Sequence, residues 1–183
     1  AREVDEIFTE VLVAPSFDAD ALALLQKKKN RRLLRFHADR IDRSEADWKK
    51  VYGGVLVQEA DATIDDIAAA RVVTARKPGD DELRALGFAW RIVKHVKSNA
   101  IVFAAENRTL AIGGGATSRV DAVHAAAAKA ARVGISLKGA VLASDAFFPF
   151  ADGLETAVSA GAVAIVQPGG QGASSGGERE FVP

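Results

Sequence analysis

From residue 98 onward, short apolar runs alternate with helical periodicity at a spacing that leaves few architectures open. Ala100–Ala104 and Thr109–Ile112 flank Glu106-Asn107-Arg108, the pattern of a hairpin. Three glycines, Gly113 to Gly115, lead into an alanine-rich helix expected from Val120 to about Val133. Ser136–Ala143 reads as a strand, Asp152–Ala160 as a helix and Ala162–Val166 as a further strand. Strands and helices in strict alternation define an α/β fold built in layers.

The first half carries the same alternation less sharply. Ile7–Val13 is a strand candidate closed by Ala14-Pro15, because proline removes a backbone donor. A helix is expected from Asp18, with Ala21, Leu24, Leu25 and Lys28 on one stripe. Lys27, Lys28 and Lys29 would then sit in its last turn, where cations complement the dipole and remain solvated. Leu33-Leu34 with Phe36 begins a second strand, and residues 37–50 read as a polar connection holding Trp48. Gly53–Val57 is a strand after a glycine turn, Thr63–Ala70 a short helix, and Val72–Thr74 extended. Lys77-Pro78-Gly79 punctuates the chain before a stronger helix, Asp80 to Lys97, with Leu83, Leu86, Trp90, Val93 and Lys97 on one side.

Composition narrows the function classes. Hydrophobic residues make up 49% and charged residues 26% of the 183, the balance of a packed domain and not of a disordered chain. Twenty-four Lys and Arg offset twenty-four Asp and Glu, so no excess charge points to nucleic acid or an acidic membrane surface. No apolar run reaches the roughly 18 residues of a membrane span, and no basic-then-apolar leader opens the chain; the expected compartment is the cytoplasm. With no Cys, disulfides, thiolate metal sites and a cysteine nucleophile are excluded together. The chain holds no Met and starts at Ala1 close to a strand pattern, so it is expected to be a piece of a longer product. From Gly169 to Gly177 there are five glycines and two serines, which read as a flexible tail. Left outside the core, that tail would leave the strand at Ala162–Val166 with a bare, association-prone edge.

Chemistry could sit in three places. The glycine triplet either lets backbone N–H groups approach a ligand at a helix N-terminus or is architecture; it matches no nucleotide-binding motif. Ser144 to Gly153 holds three of the nine Phe residues within four positions, around Pro149 and between Asp145 and Asp152. It directly follows a strand, where open α/β sheets place their ligands, and aromatic faces there can stack on a planar ring. Asn99 lies between a helix and a strand, where its amide could pair with another amide or simply form a turn. His37, His95 and His124 have no partners at metal-binding spacing.

The runs VKSNAIVFA, SRVDAV, SLKGAVLASDAFFPFADG and VAIVQPGG together resemble one family, the bifunctional purine biosynthesis proteins. These join phosphoribosylaminoimidazolecarboxamide formyltransferase to IMP cyclohydrolase, and the likeness is to the formyltransferase region. EVLVAPSFDADALALLQKKKNRRLL, GGVLVQEAD and VVTARKP agree, so the resemblance extends over about residues 3 to 170. It implies cytidine-deaminase-like α/β/α units: residues 1–36 as the end of a first unit, 37–97 a connecting helical segment, 98–168 a second unit, and 169–183 the tail. Zinc deaminases need Cys and His ligands, so with no Cys the deaminase chemistry is not expected. The family's Lys-His pair would precede Ala1, and QGASSGGEREFVP matches nothing in the family's own C-terminal pattern.

What the resemblance implies is formyl transfer from 10-formyltetrahydrofolate, a co-substrate, to the amine of 5-aminoimidazole-4-carboxamide ribonucleotide on the route to IMP. No metal is implied. By motif match, Asn99 would meet the nucleotide's carboxamide or amine, Phe147 would stack near its imidazole, and Glu10 would be a further nucleotide contact. Arg119, Val120, Asp152, Gln171 and Gly172 would face the folate, with Asn99 and Asp152 closest to the chemistry. The expected partners are the purine-precursor nucleotide, the folate and a second copy in a homodimer, with neither nucleic acid nor membrane. The alternative is a non-catalytic nucleotide- or folate-binding module, or one part of a split enzyme.

Overall fold

A computed structural model describes residues 1–37 and 45–169, together with the backbone of 179–182. It is a mixed α/β chain in two compact units, Ala1–Thr63 and Ile64–Pro183.

In the first unit a single helical turn, α1 (Arg2–Asp5), precedes β1 (Val11–Ala14), α2 (Ala19–Leu25) and β2 (Arg32–Arg35). β1 and β2 pair in parallel, Val11 opposite Arg32, which requires a crossover such as α2 supplies. The first strand therefore starts four residues later than its apolar pattern suggested, because Arg2–Asp5 coils and Ile7 and Phe8 stay exposed. α2 begins after Asp18 as expected but stops at Leu25, which puts Lys27, Lys28 and Lys29 beyond the helix. Nor is the basic run wholly solvated. Arg31 is buried and donates to Asp5 Oδ1 (2.9 Å) and to the carbonyl of Thr9 (3.3 Å), and Lys28 also pairs with Asp5. The Arg31 guanidinium, followed by Lys28, holds the Asp5 carboxyl below its ordinary range against the opposing effect of desolvation.

Where a polar connection was expected through residue 50, β3 (Asp47–Val51) pairs antiparallel with β4 (Gly54–Gln58). Gly53 permits this with φ +80° at the turn. Every residue of both strands is exposed, so no burial periodicity marks β3 in the sequence.

The second unit holds a six-stranded mixed sheet. A 3-10 turn, Ile67–Ala69, stands where a short helix was expected, its start capped by Asp66 Oδ1 accepting from the Ala68 N–H. β5 (Arg71–Val72) and α3 (Asp80–Val93) follow; α3 ends a turn before Lys97. Then come β6 (Ile101–Ala105), β7 (Arg108–Gly113), α4 (Arg119–Arg132), β8 (Ala140–Ser144), α5 (Ala151–Ala160), β9 (Ala162–Pro168) and β10 (Arg179–Val182). The strand order is β5-β10-β9-β8-β6-β7, with β8 and β9 parallel and β6 antiparallel to both its neighbours.

Strand alternation splits the core in two. Ile101, Phe103, Leu142 and Ile165 face α4 and α5, packing with Val123, Ala126 and Ala157. Val102, Ala104, Val141, Ala143, Ala164 and Val166 face α3, packing with Leu86, Ala89 and Val93. The glycine triplet belongs to this packing. A Cβ at Gly113 would lie 2.0 Å from the carbonyl oxygen of Ala122 in α4, and one at Gly114 would lie 2.4 Å from Val96.

The strand at Ala162–Val166 does not have the bare edge expected of it. β10 runs antiparallel along β9, Phe181 opposite Val166, and β5 lies beyond β10. An edge rich in unpaired N–H and C=O groups accepts any extended segment that supplies the complement, so a short strand suffices. The remainder of the expected tail lies outside the described residues.

Candidate functional site

Asn99, Ser144 and Arg119 come from three segments far apart in sequence, and the sheet brings them to one end. Ile101 at the start of β6 pairs with Ser144 at the end of β8, so the residues just outside both strands are neighbours. There the Ala100 N–H donates to Asp145 Oδ1 (2.9 Å) and the Asp145 N–H to the Ala100 carbonyl (3.2 Å). The Ser98–Asn99 peptide preceding this pair is cis.

Arg119, the first residue of α4, reaches into this junction. One guanidinium nitrogen donates to Ser144 Oγ (2.9 Å) and Asp145 Oδ1 (2.5 Å), and the other to Asn99 Oδ1 (2.9 Å). Asn99 Nδ2 in turn donates to the Ala116 carbonyl (3.1 Å). A cation at a helix N-terminus opposes the macrodipole, and the Asp145 carboxylate offsets that cost. Burial pushes the Asp145 carboxyl up, but the Ser98 hydroxyl, the Ala100 N–H and Arg119 together outweigh it and hold the group below its ordinary range. The Arg119–Asp145 pair is thus ionised and only 9% and 16% exposed.

Above this network lies a cavity of about 530 Å³, within the size range of small-molecule sites. Asn99, Arg119, Val120, Phe147 and Asp152 all line it. Its walls are the N-terminal turns of α4 and α5 and the aromatic segment between β8 and α5. Ser118 caps α4, its Oγ accepting from the Asp121 N–H (3.1 Å). α5 has no side-chain cap at its Phe150 N-cap, though Asp152 Oδ1 accepts from the Gly153 N–H (2.6 Å). Two helix N-termini favour an anionic group, and Phe147 offers an aromatic face to a planar ring.

The three Phe residues divide their work. Phe148 is turned inward: its ring packs on α5, where a Cβ at Gly153 would lie 2.5 Å from Cδ1. Its N–H donates to Gln167 Oε1 at 2.8 Å. All three line the cavity, Phe148 as a buried part of its wall and Phe147 and Phe150 with more of their surface open. The glycine triplet does not line the cavity; the residues that do begin just after it, at Thr117.

Glu10 belongs to the first unit, where its carbonyl accepts from the Arg32 N–H (2.7 Å), and it is not among the residues lining this cavity. Gln171 and Gly172 lie outside the described residues. Sequence reasoning gave Asp145, Ser144 and Gln167 no role. In the sequence, Ser144 and Asp145 mark only the start of the aromatic segment that follows the strand, with no contact of their own. Among the described residues, no group of three His, Cys, Asp or Glu side chains is placed to hold a metal ion.

A mixed sheet with a ligand-sized cavity at its strand ends, beside a partly buried ion pair and walled by helix N-termini, is an α/β unit with a candidate small-molecule site. The AICARFT/IMPCHase bienzyme family model matches residues 1–129, and the chain belongs to that family. It is 57% identical over 170 residues to the bifunctional purine biosynthesis protein PurH of Chloroflexus aurantiacus, covering 93% of this chain and 33% of the relative. PurH of Enterococcus faecalis is 50% identical over 172 residues, and PurH of Anaeromyxobacter dehalogenans 47% over 180, each across 93% of this chain and 33% of the relative. The chain therefore spans about a third of the length of the curated relatives it matches.

Proposed function

We propose that the chain serves purine biosynthesis as part of a formyltransferase, carrying formyl from 10-formyltetrahydrofolate to the amine of 5-aminoimidazole-4-carboxamide ribonucleotide. The observation that carries this reading is the convergence of Asn99, Arg119, Val120, Phe147 and Asp152 on one cavity. In the reaction the amine nitrogen bonds to the formyl carbon, the bond from that carbon to N10 of the folate breaks, and one proton moves from the amine to N10. The amine is a weak nucleophile because ring and carboxamide withdraw its electrons, so orientation and a general base supply most of the rate.

Phe147 holds the imidazole by stacking, and the Asn99 amide, its Oδ1 fixed by Arg119, turns a remaining Nδ2 hydrogen to the carboxamide or amine. Asp152 accepts from the polar edge of the folate ring. The second unit is read as a cytidine-deaminase-like layer structure, the assembly as a homodimer and the compartment as the cytoplasm. No described helix is long and apolar enough to cross a membrane.

Because the chain spans a third of its relatives, binding without turnover is the second reading: a ligand-binding module or one part of a split enzyme. Calorimetry with the nucleotide and the formyl-folate tests both. Asn99→Ala should weaken the nucleotide, and Asp152→Asn the folate, by tenfold or more. Unchanged affinities in both variants would refute the assignment, and tight binding without formyl transfer would favour the module.

A further inference from the structure

Among the described residues, Arg31, Ser144 and Gln167 are the buried polar or charged side chains. Buried polar groups are costly unless paired, so each calls for a reason. Arg31 clasps Asp5 in the first unit, and Ser144 accepts from Arg119. Gln167 is 6% exposed near the end of β9 and two residues after Ile165, so its side chain continues the face that packs against α4 and α5. A leucine would fill that position as well. What an amide adds is an acceptor, and its Oε1 takes the Phe148 N–H at 2.8 Å.

We propose that Gln167 is a positioning residue: it fixes the aromatic segment Ala146–Phe150 and so sets the Phe147 ring at the cavity. Phe148 is held from two sides, its backbone by Gln167 and its ring by Gly153 of α5. With the Phe148 backbone anchored there, its neighbour Phe147 is held where it lines the cavity. The inference rests on the reading above for its ligand, but the contact itself belongs to the protein alone.

The test compares Gln167→Met, which keeps length and loses the acceptor, with Gln167→Glu, which keeps the acceptor. In the 183-residue chain, the Phe148 amide should exchange ten- to a hundredfold faster in Gln167→Met, while Leu142 in β8 stays as protected as before. Affinity for 5-aminoimidazole-4-carboxamide ribonucleotide, read by calorimetry, should fall about tenfold in parallel. Gln167→Glu should restore both. Equal Phe148 exchange in wild type and Gln167→Met overturns the proposal, as does faster exchange with nucleotide affinity within twofold of wild type. If the wild-type chain takes up no nucleotide, the reading of the cavity fails, and the exchange of Phe147 and Phe148 amides alone then decides whether Gln167 holds the segment.

Discussion

Replacing Gly153 by alanine sets two known effects against each other. Alanine is the better helix former by about 1 kcal/mol, and at an open position in the first turn of α5 it would stabilise. Position 153 is not open. The added Cβ would sit 2.5 Å from Phe148 Cδ1 and 2.9 Å from Cε1, against the roughly 3.5–4.0 Å of relaxed carbon contacts. The ring must therefore retreat by about 1 Å. It cannot simply rotate away, because two of its atoms are struck together, the ring is buried, and its backbone N–H is tied to Gln167. Overpacking of this kind costs about 1–3 kcal/mol, which at least cancels the helix gain and leaves a net loss of roughly 0–2 kcal/mol. Urea unfolding followed by circular dichroism should show a lower midpoint at unchanged slope. In a Phe148→Leu background the same change should lose its penalty, because a smaller side chain yields the space. A raised midpoint for Gly153→Ala alone would mean that the ring has room, and would refute the steric argument.

Gly113→Ala is harsher, since its Cβ meets the Ala122 carbonyl oxygen at 2.0 Å and no rotamer can move a backbone atom; a loss of about 3 kcal/mol in urea unfolding is expected. Asp145 has its folded pKa held below the unfolded value near ~3.9, so its contribution is complete above that value and is lost as pH falls through the folded pKa. The stability difference between wild type and Asp145→Asn should accordingly be flat from neutral pH down to about 5 and shrink below about 4, as read by urea titrations at each pH. Arg119→Lys keeps the charge but loses the fork that reaches Asn99, Ser144 and Asp145 together; it should cost about 1–3 kcal/mol and loosen Asn99 in amide side-chain NMR spectra.

What the sequence showed most clearly were elements buried on both sides. β6, β8 and β9 are mostly apolar because α3 covers one face and α4 and α5 the other; β6 and the start of β9 fall within a residue of where that pattern put them, whereas β8, expected from Ser136, starts at Ala140. β3 was missed for the opposite reason: Asp47–Val51 is exposed throughout, so nothing in its pattern records a face. β10 was missed because Gly and Ser before it argued for a tail, while its pairing is decided by what β9 leaves unpaired. In the site, the motif residues Asn99, Arg119, Val120, Phe147 and Asp152 were visible through family likeness. Asp145 and Gln167 were not, because their meaning lies in contacts to Ala100 and Phe148, 45 and 19 residues away along the chain.

The two-faced sheet divides the molecule's freedom to change. Ser144 extends the stripe of Leu142, and Gln167 that of Ile165, so the polar end of the site and the α4/α5 core are written on the same alternate residues. The α3 core occupies the others. Drift in Val102, Val141 or Ala164 can therefore tune how firmly the sheet holds without touching what the cavity recognises. Change on the opposite stripe carries no such independence, and a one-residue insertion in β8 or β9 would trade the two faces and send the site's polar groups toward α3.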